Sequence, residues 1–219
     1  MKTILITGGA TGLGNELAKL YVQNGDQVIL LGRNEDRLNK AQEALGTSCI
    51  ATVSADLTNY EELTQKMDNL LSLHSVDVLI NNAGMGHFGP LTSYTKEMID
   101  EVINTNIKGT IYLTQSLLPH LQTREQTTIL TIISTAGLRG KKNESVYVAS
   151  KFALRGFVES LKVECEHTSV SCTAAYMGGM DTPFWDNSDH IADKSRLKHP
   201  SEVASIIFNQ RMTKEDIMV

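Results

Sequence analysis

Short apolar runs alternate with longer amphipathic segments along the whole chain, and this alternation constrains the fold more than any other feature of the sequence. Continuous apolar runs rich in β-branched residues are typical of strands that are buried on both faces. Strands separated by helical segments predict an α/β protein with a doubly wound parallel sheet of six to seven strands and helices on both faces. The predicted strands occupy residues 3–7, 27–31, 49–53, 76–80, 128–133 and 170–174.

The helical segments between these runs begin at recognisable capping residues. Asn34 precedes two acidic residues and is a candidate N-cap. Thr58 and Glu61 have the spacing of a capping box. Pro200 suits the first turn of a further helix.

The length of 219 residues and the absence of linkers, repeats and low-complexity tracts predict a single domain. Two long helices are expected at about 96–121 and 145–167. An irregular polar stretch at about 183–200 is either a substrate-side loop of this domain or a plain surface loop.

Composition excludes several classes of partner. The formal net charge is -5 and the pI is about 5.7, whereas nucleic acids and anionic membranes favour basic surfaces. We expect neither partner, and the absence of a secretory signal or a long apolar span predicts a cytoplasmic protein. The cysteines and histidines lack metal-ligand spacing, so no metal site is predicted.

Residues 7–14 read TGGATGLG and lie between the first apolar run and a helical segment. Glycines in such a turn permit positive φ and let backbone N–H groups approach a pyrophosphate at the helix N-terminus. A merely tight turn is the alternative. A second string, NNAGMGHFG at 81–89, also contains G-x-G-x-x-G, but it leads to Pro90 and not into a helix. We therefore assign the phosphates to 7–14.

Tyr147 and Lys151 are four residues apart, so they share one face of a helix. A neighbouring cation stabilises a phenolate and brings tyrosine closer to acid–base work at neutral pH. Ser134 ends an apolar run 13 residues before Tyr147, where its hydroxyl would face the ligand crevice of a parallel sheet. Thr135 is its neighbouring competitor.

Together these motifs resemble the short-chain dehydrogenase/reductase family in its compact single-domain branch. Five motifs occur in order: the glycine turn, the N-N-A-G at 81–84, the N-I-K-G at 106–109, the serine and Y-V-A-S-K at 147–151. The resemblance runs from Thr7 to about Ala204. It implies a Rossmann-type fold and an oxidoreductase that moves a hydride between a nicotinamide cofactor and a small carbonyl or secondary alcohol.

The resemblance also implies catalytic roles. Tyr147 is the general acid/base, and Lys151 lowers its pKa and binds the nicotinamide ribose. Ser134 orients the substrate oxygen. Asn106 anchors a water for the proton relay, with Asn104 as a less favoured rival. The family residues expected to contact the cofactor are Gly8, Thr11, Gly12, Leu13, Gly14, Arg33, Asp56, Leu57, Asn81, Ala83, Gly84, Tyr147, Lys151, Met180 and Thr182.

The end of the second strand bears on the choice of cofactor. Proteins that use NAD typically have an acidic residue there, whereas Arg accommodates the 2′-phosphate of NADP. Here Gly32 occupies the acidic position and Arg33 follows. NADP(H) is therefore favoured over NAD(H), with a plain surface arginine as the alternative.

The sequence differs from the family pattern at two places. Met177 replaces the family's usual proline, and the chain after Ala204 is shorter than usual, so the last strand is expected to be short or incomplete.

Family resemblance implies a homodimer or homotetramer formed through the two long helices. A non-catalytic NADPH sensor or scaffold, or an epimerase or dehydratase without net cofactor use, are the alternative functions. Candidate substrate contacts are Met85, His87, Leu138, Met177, Phe184 and Trp185, with loop filler as the competing role of His87.

Overall fold

The computed structural model describes residues 1–186, 188, 190–191 and 193–219. Seven parallel strands form one sheet in the order β3-β2-β1-β4-β5-β6-β7, which confirms the predicted fold class. The strands are β1 (Thr3–Thr7), β2 (Gln27–Gly32), β3 (Cys49–Ser54), β4 (Val78–Asn81), β5 (Thr127–Ile132), β6 (Val170–Tyr176) and β7 (Ile217–Met218).

Helices connect the strands on both faces of the sheet. They are α1 (Gly12–Gln23), α2 (Glu35–Leu45), α3 (Tyr60–Leu73), α4 (Lys96–Ile103), α5 (Thr110–Gln122), α6 (Ser145–Glu164) and α7 (Pro200–Asn209). The long helix expected at 96–121 is divided, because a π-helical turn (Asn104–Gly109) lies between α4 and α5. Such turns insert one residue into a helix and are frequent at functional sites.

Alternation along each strand builds two apolar layers. On β1, Ile4 and Ile6 face α1, α2 and α7, whereas Leu5 faces α3, α5 and α6. Because successive strand residues point to opposite faces, a strand that is apolar throughout requires both layers. This explains why continuous apolar runs predicted the sheet correctly.

The capping residues explain where two helices begin. Asn34 accepts a hydrogen bond from the backbone N–H of Arg37, as expected of an N-cap. The second cap lies one residue later than predicted, because Asn59 and not Thr58 accepts from the backbone N–H of Glu62. Thr58 instead donates to the carboxylate of Asp56.

The sheet ends in a very short strand. β7 pairs with Ala175 and Tyr176 at the end of β6, so the chain after α7 contributes two residues to the sheet. Strand order reverses between β1 and β4, and crevices outside the carboxyl ends of strands at such a point bind ligands in open α/β sheets. A ligand site is therefore expected at this edge of the sheet.

Candidate active site

The glycine turn between β1 and α1 has the shape of an anion-binding cradle. Gly8 and Gly12 have φ of 61° and 52°, a region that glycine occupies without strain. A Cβ on Gly14 would lie 2.4 Å from the carbonyl oxygen of Gly8, so a side chain there would fill the turn. Within the described chain, the side chain of Thr11 does not cap α1. The first N–H groups of the helix can therefore bind the pyrophosphate of a dinucleotide.

Thr7 and Asn82 hold this turn against the end of β4. The Thr7 hydroxyl accepts from the backbone N–H groups of Asn82 and Ala83, both at 2.9 Å. The Asn82 amide donates to the carbonyls of Thr7 and Gly8 at 2.9 and 3.3 Å. These positioning roles were not inferred from the sequence, although both residues lie within its glycine-containing motifs.

Several residues expected to contact the cofactor have buried side chains. Leu13 and Leu57 pack in the two apolar layers, and the Asn81 amide donates to the hydroxyl of Thr114 on α5. Contacts from these three residues would therefore come from main-chain atoms. Their assignment stays a prediction.

The loop after β6 approaches the glycine turn. A Cβ on Gly12 would lie 3.1 Å from Cγ2 of Thr182, so these two predicted cofactor residues lie side by side. Met180 pairs with Lys198 in an isolated parallel bridge, which closes the base of the loop. The structure thus places Thr182 above the cradle.

Ser134, Tyr147 and Lys151 meet at the carboxyl end of β5. Ser134 has a φ of 149°, a conformation that costs energy for a residue with a side chain and that clusters at functional sites. Its hydroxyl accepts from the backbone N–H of Ala136 at 3.1 Å, and its side chain lies close enough to Tyr147 to lower the pKa of that phenol. Lys151, one turn along α6, places Nζ 5.6 Å from the centre of the Tyr147 ring. The spacing argument thus identified three residues that share one site.

Asn106 is fully buried in the π-helical turn and joins three parts of the site. Its amide donates to the carbonyl of Met85 at 2.8 Å and to the hydroxyl of Ser150 at 3.0 Å. Its side-chain oxygen accepts from the Met85 backbone N–H at 2.8 Å. The competing residue Asn104 lies in the same turn and is partly exposed. The geometry therefore favours Asn106, and its water-anchoring role stays a prediction.

Burial dominates the acid–base state of Tyr147. Removal from water raises the pKa of this phenol well above its usual range, the neighbouring Ser134 side chain lowers it, and the charge of Glu144 raises it further. The lowering expected from Lys151 does not outweigh the effect of burial. Tyr147 therefore holds its proton at neutral pH.

Lys151 is 4% exposed, and burial lowers its pKa to about 8. Nζ donates to the carbonyl of Ile132 at 3.4 Å, and no carboxylate in the described part of the chain forms an ion pair with it. Burying a charge without a partner destabilises a fold.

We expect Lys151→Met to raise the free energy of unfolding at pH 7 by about 3 kcal/mol, since each unit of pKa shift corresponds to about 1.4 kcal/mol. The penalty is complete below the folded pKa of about 8. Between that pH and the unfolded value near 10.5, the native state releases its proton first, so wild-type stability rises and the gain from the variant shrinks. Urea unfolding at pH 7 and 9.5 measures this change. Lys40→Met, at an exposed position, is the control, and a less stable Lys151→Met would contradict the account.

The candidate substrate residues occupy different environments. His87 pairs with Glu101 at 2.7 Å and lines a cavity of about 430 Å³, whereas Leu138 is exposed. Met177 is 3% exposed and packs in the apolar layer with α1 and α7. Its side chain therefore does not shape the pocket, which corrects that expectation, because buried strand β6 continues directly into it.

The described residues contain neither a metal-ligand cluster nor a membrane-spanning helix. No three histidine, cysteine or carboxylate side chains among them are grouped as metal ligands would be. No described helix combines the length and the apolar character needed to cross a membrane.

Known proteins share this sequence pattern and this fold. A family model for short chain dehydrogenases matches residues 2–192. An uncharacterised oxidoreductase of Staphylococcus epidermidis is 30% identical over 208 residues, covering 94% of this chain and 90% of that protein. A 3-ketoacyl-(acyl-carrier-protein) reductase from Brucella melitensis, in a crystal complexed with NADH, is 25% identical with a TM-score of 0.88. That comparison covers 100% of this chain and 96% of the other.

A short chain dehydrogenase from Escherichia coli CFT073, complexed with NADPH, is 26% identical. Its TM-score is 0.89, with coverage of 99% of this chain and 95% of the other. The family model spans most of the sequence, and the parallel sheet with its glycine turn agrees with it. The chain belongs to the short-chain dehydrogenase family, the oxidoreductases built on an NAD(P)-binding Rossmann fold.

Proposed function

We propose that the protein is an NADP(H)-dependent oxidoreductase that interconverts a small carbonyl compound and a secondary alcohol. The observation that carries this proposal is the convergence of Ser134, Tyr147 and Lys151 at the sheet edge that also bears the glycine turn. A bound nicotinamide supplies or accepts the hydride. The side chains of this chain supply the proton and hold the reacting oxygen.

The chemistry follows from the charge that develops on the substrate oxygen. The Ser134 hydroxyl donates a hydrogen bond to that oxygen, and the Tyr147 hydroxyl donates the proton that completes the alcohol. Lys151 places a cation beside the tyrosine as it loses the proton. Burial keeps Tyr147 protonated, so it carries the proton that reduction of a carbonyl requires.

Arg33 supports a preference for NADP(H). It is exposed directly after β2, and Asn34 behind it caps the N-terminus of α2. A guanidinium in this position can form bidentate bonds to a 2′-phosphate, and the helix N-terminus adds a favourable field. Gly32 has no carboxylate that would repel the 2′-phosphate.

We expect Arg33→Ala to weaken NADPH binding by about 10- to 100-fold, the loss of one or two charge-assisted hydrogen bonds. NADH lacks the phosphate, so its affinity should change by less than about threefold. Titration of both nucleotides by calorimetry measures the difference. Lys40→Ala removes an exposed charge further along α2 and serves as the control. Equal losses for NADPH and NADH would contradict the phosphate contact.

The activity is tested by incubating purified protein with NADPH and a panel of aldehydes and ketones. We expect NADPH oxidation with at least one carbonyl and formation of the matching alcohol. Tight NADPH binding without turnover on a broad panel would favour a cofactor sensor. Product formation without net NADPH consumption would favour an epimerase or dehydratase.

A further inference from the structure

Phe88 stands between the catalytic tyrosine and the loop that follows β6. Its ring centre lies 5.5 Å from that of Tyr147 and 6.0 Å from that of Phe184, both in edge contacts. It also lies 5.0 Å from Trp185 and 4.8 Å from the imidazole of His190, with which it stacks at 14°. Phe88, Phe184, Trp185 and His190 are called the aromatic wall below. Two of its rings touch the proton donor directly, since Phe184 also lies 5.9 Å from Tyr147.

Two hydrogen bonds fix the base of the loop. The backbone N–H of Asp181 donates to the carbonyl of Lys198 at 3.0 Å and joins the start of the loop to its end. The Trp185 indole donates to the carbonyl of Met180 at 3.0 Å and fixes the tryptophan at the start of the loop. Neither bond fixes His190, which lies further along the loop.

Glu144 holds His190 from the other side of the site. This carboxylate is 8% exposed, precedes α6 and lies three residues before Tyr147. Its Oε1 is 3.1 Å from Nε2 of His190, and Lys141 Nζ is 4.0 Å from Oε2. A carboxylate at this depth requires hydrogen-bonding partners. The imidazole therefore links the loop to the helix that carries the catalytic tyrosine.

The aromatic wall borders the cavity of about 430 Å³ beside the site, which is within the range of small-molecule pockets. Phe88 and His190 line it together with Gly86. A Cβ on Gly86 would lie 2.6 Å from the Phe88 ring and 3.1 Å from Tyr147 Cδ2, so the absence of a side chain at Gly86 lets the wall pack directly on the tyrosine. A flat ring packs more closely against the aromatic rings that line a cavity than a puckered ring of equal size does.

We propose that Glu144 positions His190, that His190 holds the other rings of the aromatic wall against Tyr147, and that the wall selects carbonyl compounds with a planar apolar group beside the C=O. The substrate class rests on the proposed function, whereas the link between the two residues does not. Glu144 acts through His190, and His190 acts through its stack on Phe88.

The single tryptophan of the chain reports on the link without turnover, because Trp185 belongs to the wall. Acrylamide quenching of its fluorescence should increase in Glu144→Ala and in His190→Ala, and the double variant should add little to either change. Glu144→Gln keeps a hydrogen-bond acceptor and should remain close to wild type. His199→Ala removes an exposed histidine that caps α7 and is the matched control. Wild-type quenching in both alanine variants would overturn the link.

The substrate class is tested by binding and by kinetics with compounds of equal carbon number. Benzyl alcohol should change Trp185 fluorescence at about fivefold lower concentration than cyclohexylmethanol, in the range of one aromatic contact. Benzaldehyde should show the corresponding advantage in KM over cyclohexanecarbaldehyde. In His190→Ala the advantage should disappear through KM, with kcat for the cyclohexyl compound changed far less. Equal half-saturation by the two alcohols in the wild type would overturn the substrate class, whether or not turnover is detected.

Discussion

Tyr147→Phe is expected to reduce turnover by at least about 10³-fold, in the upper range for loss of a general acid. The variant removes one oxygen and keeps the ring, so the contacts with Phe88 and Phe184 persist. Loss of the buried hydroxyl beside Ser134 changes stability little when the ring still fills its site. Steady-state kinetics and NADPH titration separate the two effects.

The variant should therefore bind NADPH within about threefold of wild type while kcat collapses. Tyr94→Phe removes the hydroxyl of another tyrosine, which donates to the carbonyl of His87. This variant is the control in the same region. Retention of kcat in Tyr147→Phe would overturn its assignment as the proton donor.

Gly14→Ala is expected to weaken NADPH binding by at least about 100-fold, because the geometry of the phosphate cradle depends on one close backbone approach. The added Cβ would lie 2.4 Å from the Gly8 carbonyl oxygen and 2.6 Å from the Asn82 amide nitrogen. Neither atom can move without disturbing the turn, since Asn82 also bonds Thr7. Calorimetric titration with NADPH measures the loss.

Gly156→Ala is the matched control for that substitution. A Cβ at this position of α6 meets no atom within 4 Å, and alanine is the better helix former by about 0.5–1 kcal/mol. It should bind NADPH as the wild type does. Unchanged affinity in Gly14→Ala would show that the turn between β1 and α1 is not the phosphate site.

The sheet was predictable because its physical cause is local and repeated. Strands buried on both faces are largely apolar, and six short runs rich in apolar and β-branched residues appear directly in the sequence. The π-helical turn was not predicted, since it joins α4 to α5 without a loop or a proline to mark the break. The burial of Met177 was missed for a related reason: the extent of β6 depends on its neighbours in the sheet.

The sequence also predicted one part of the candidate site and left another part to the structure. Tyr147 and Lys151 share a helix, so their spacing alone brings them together. Glu144 and His190 are 46 residues apart and lie outside any periodic pattern, so only the folded structure shows their contact. The acid–base state of Tyr147 also needed the structure, because burial and the charge of Glu144 both raise the pKa of its phenol and the sequence shows neither effect.

The most direct test of the proposed function is to follow the hydride itself. NADPH deuterated at C4 is incubated with the protein and an aldehyde or ketone that supports NADPH oxidation, and the alcohol is examined by mass spectrometry and NMR. The account predicts one deuterium on the former carbonyl carbon from one face of the nicotinamide, and almost no product with Tyr147→Phe. Alcohol without deuterium from either face of C4, or equal product from the variant, would contradict hydride transfer at this site.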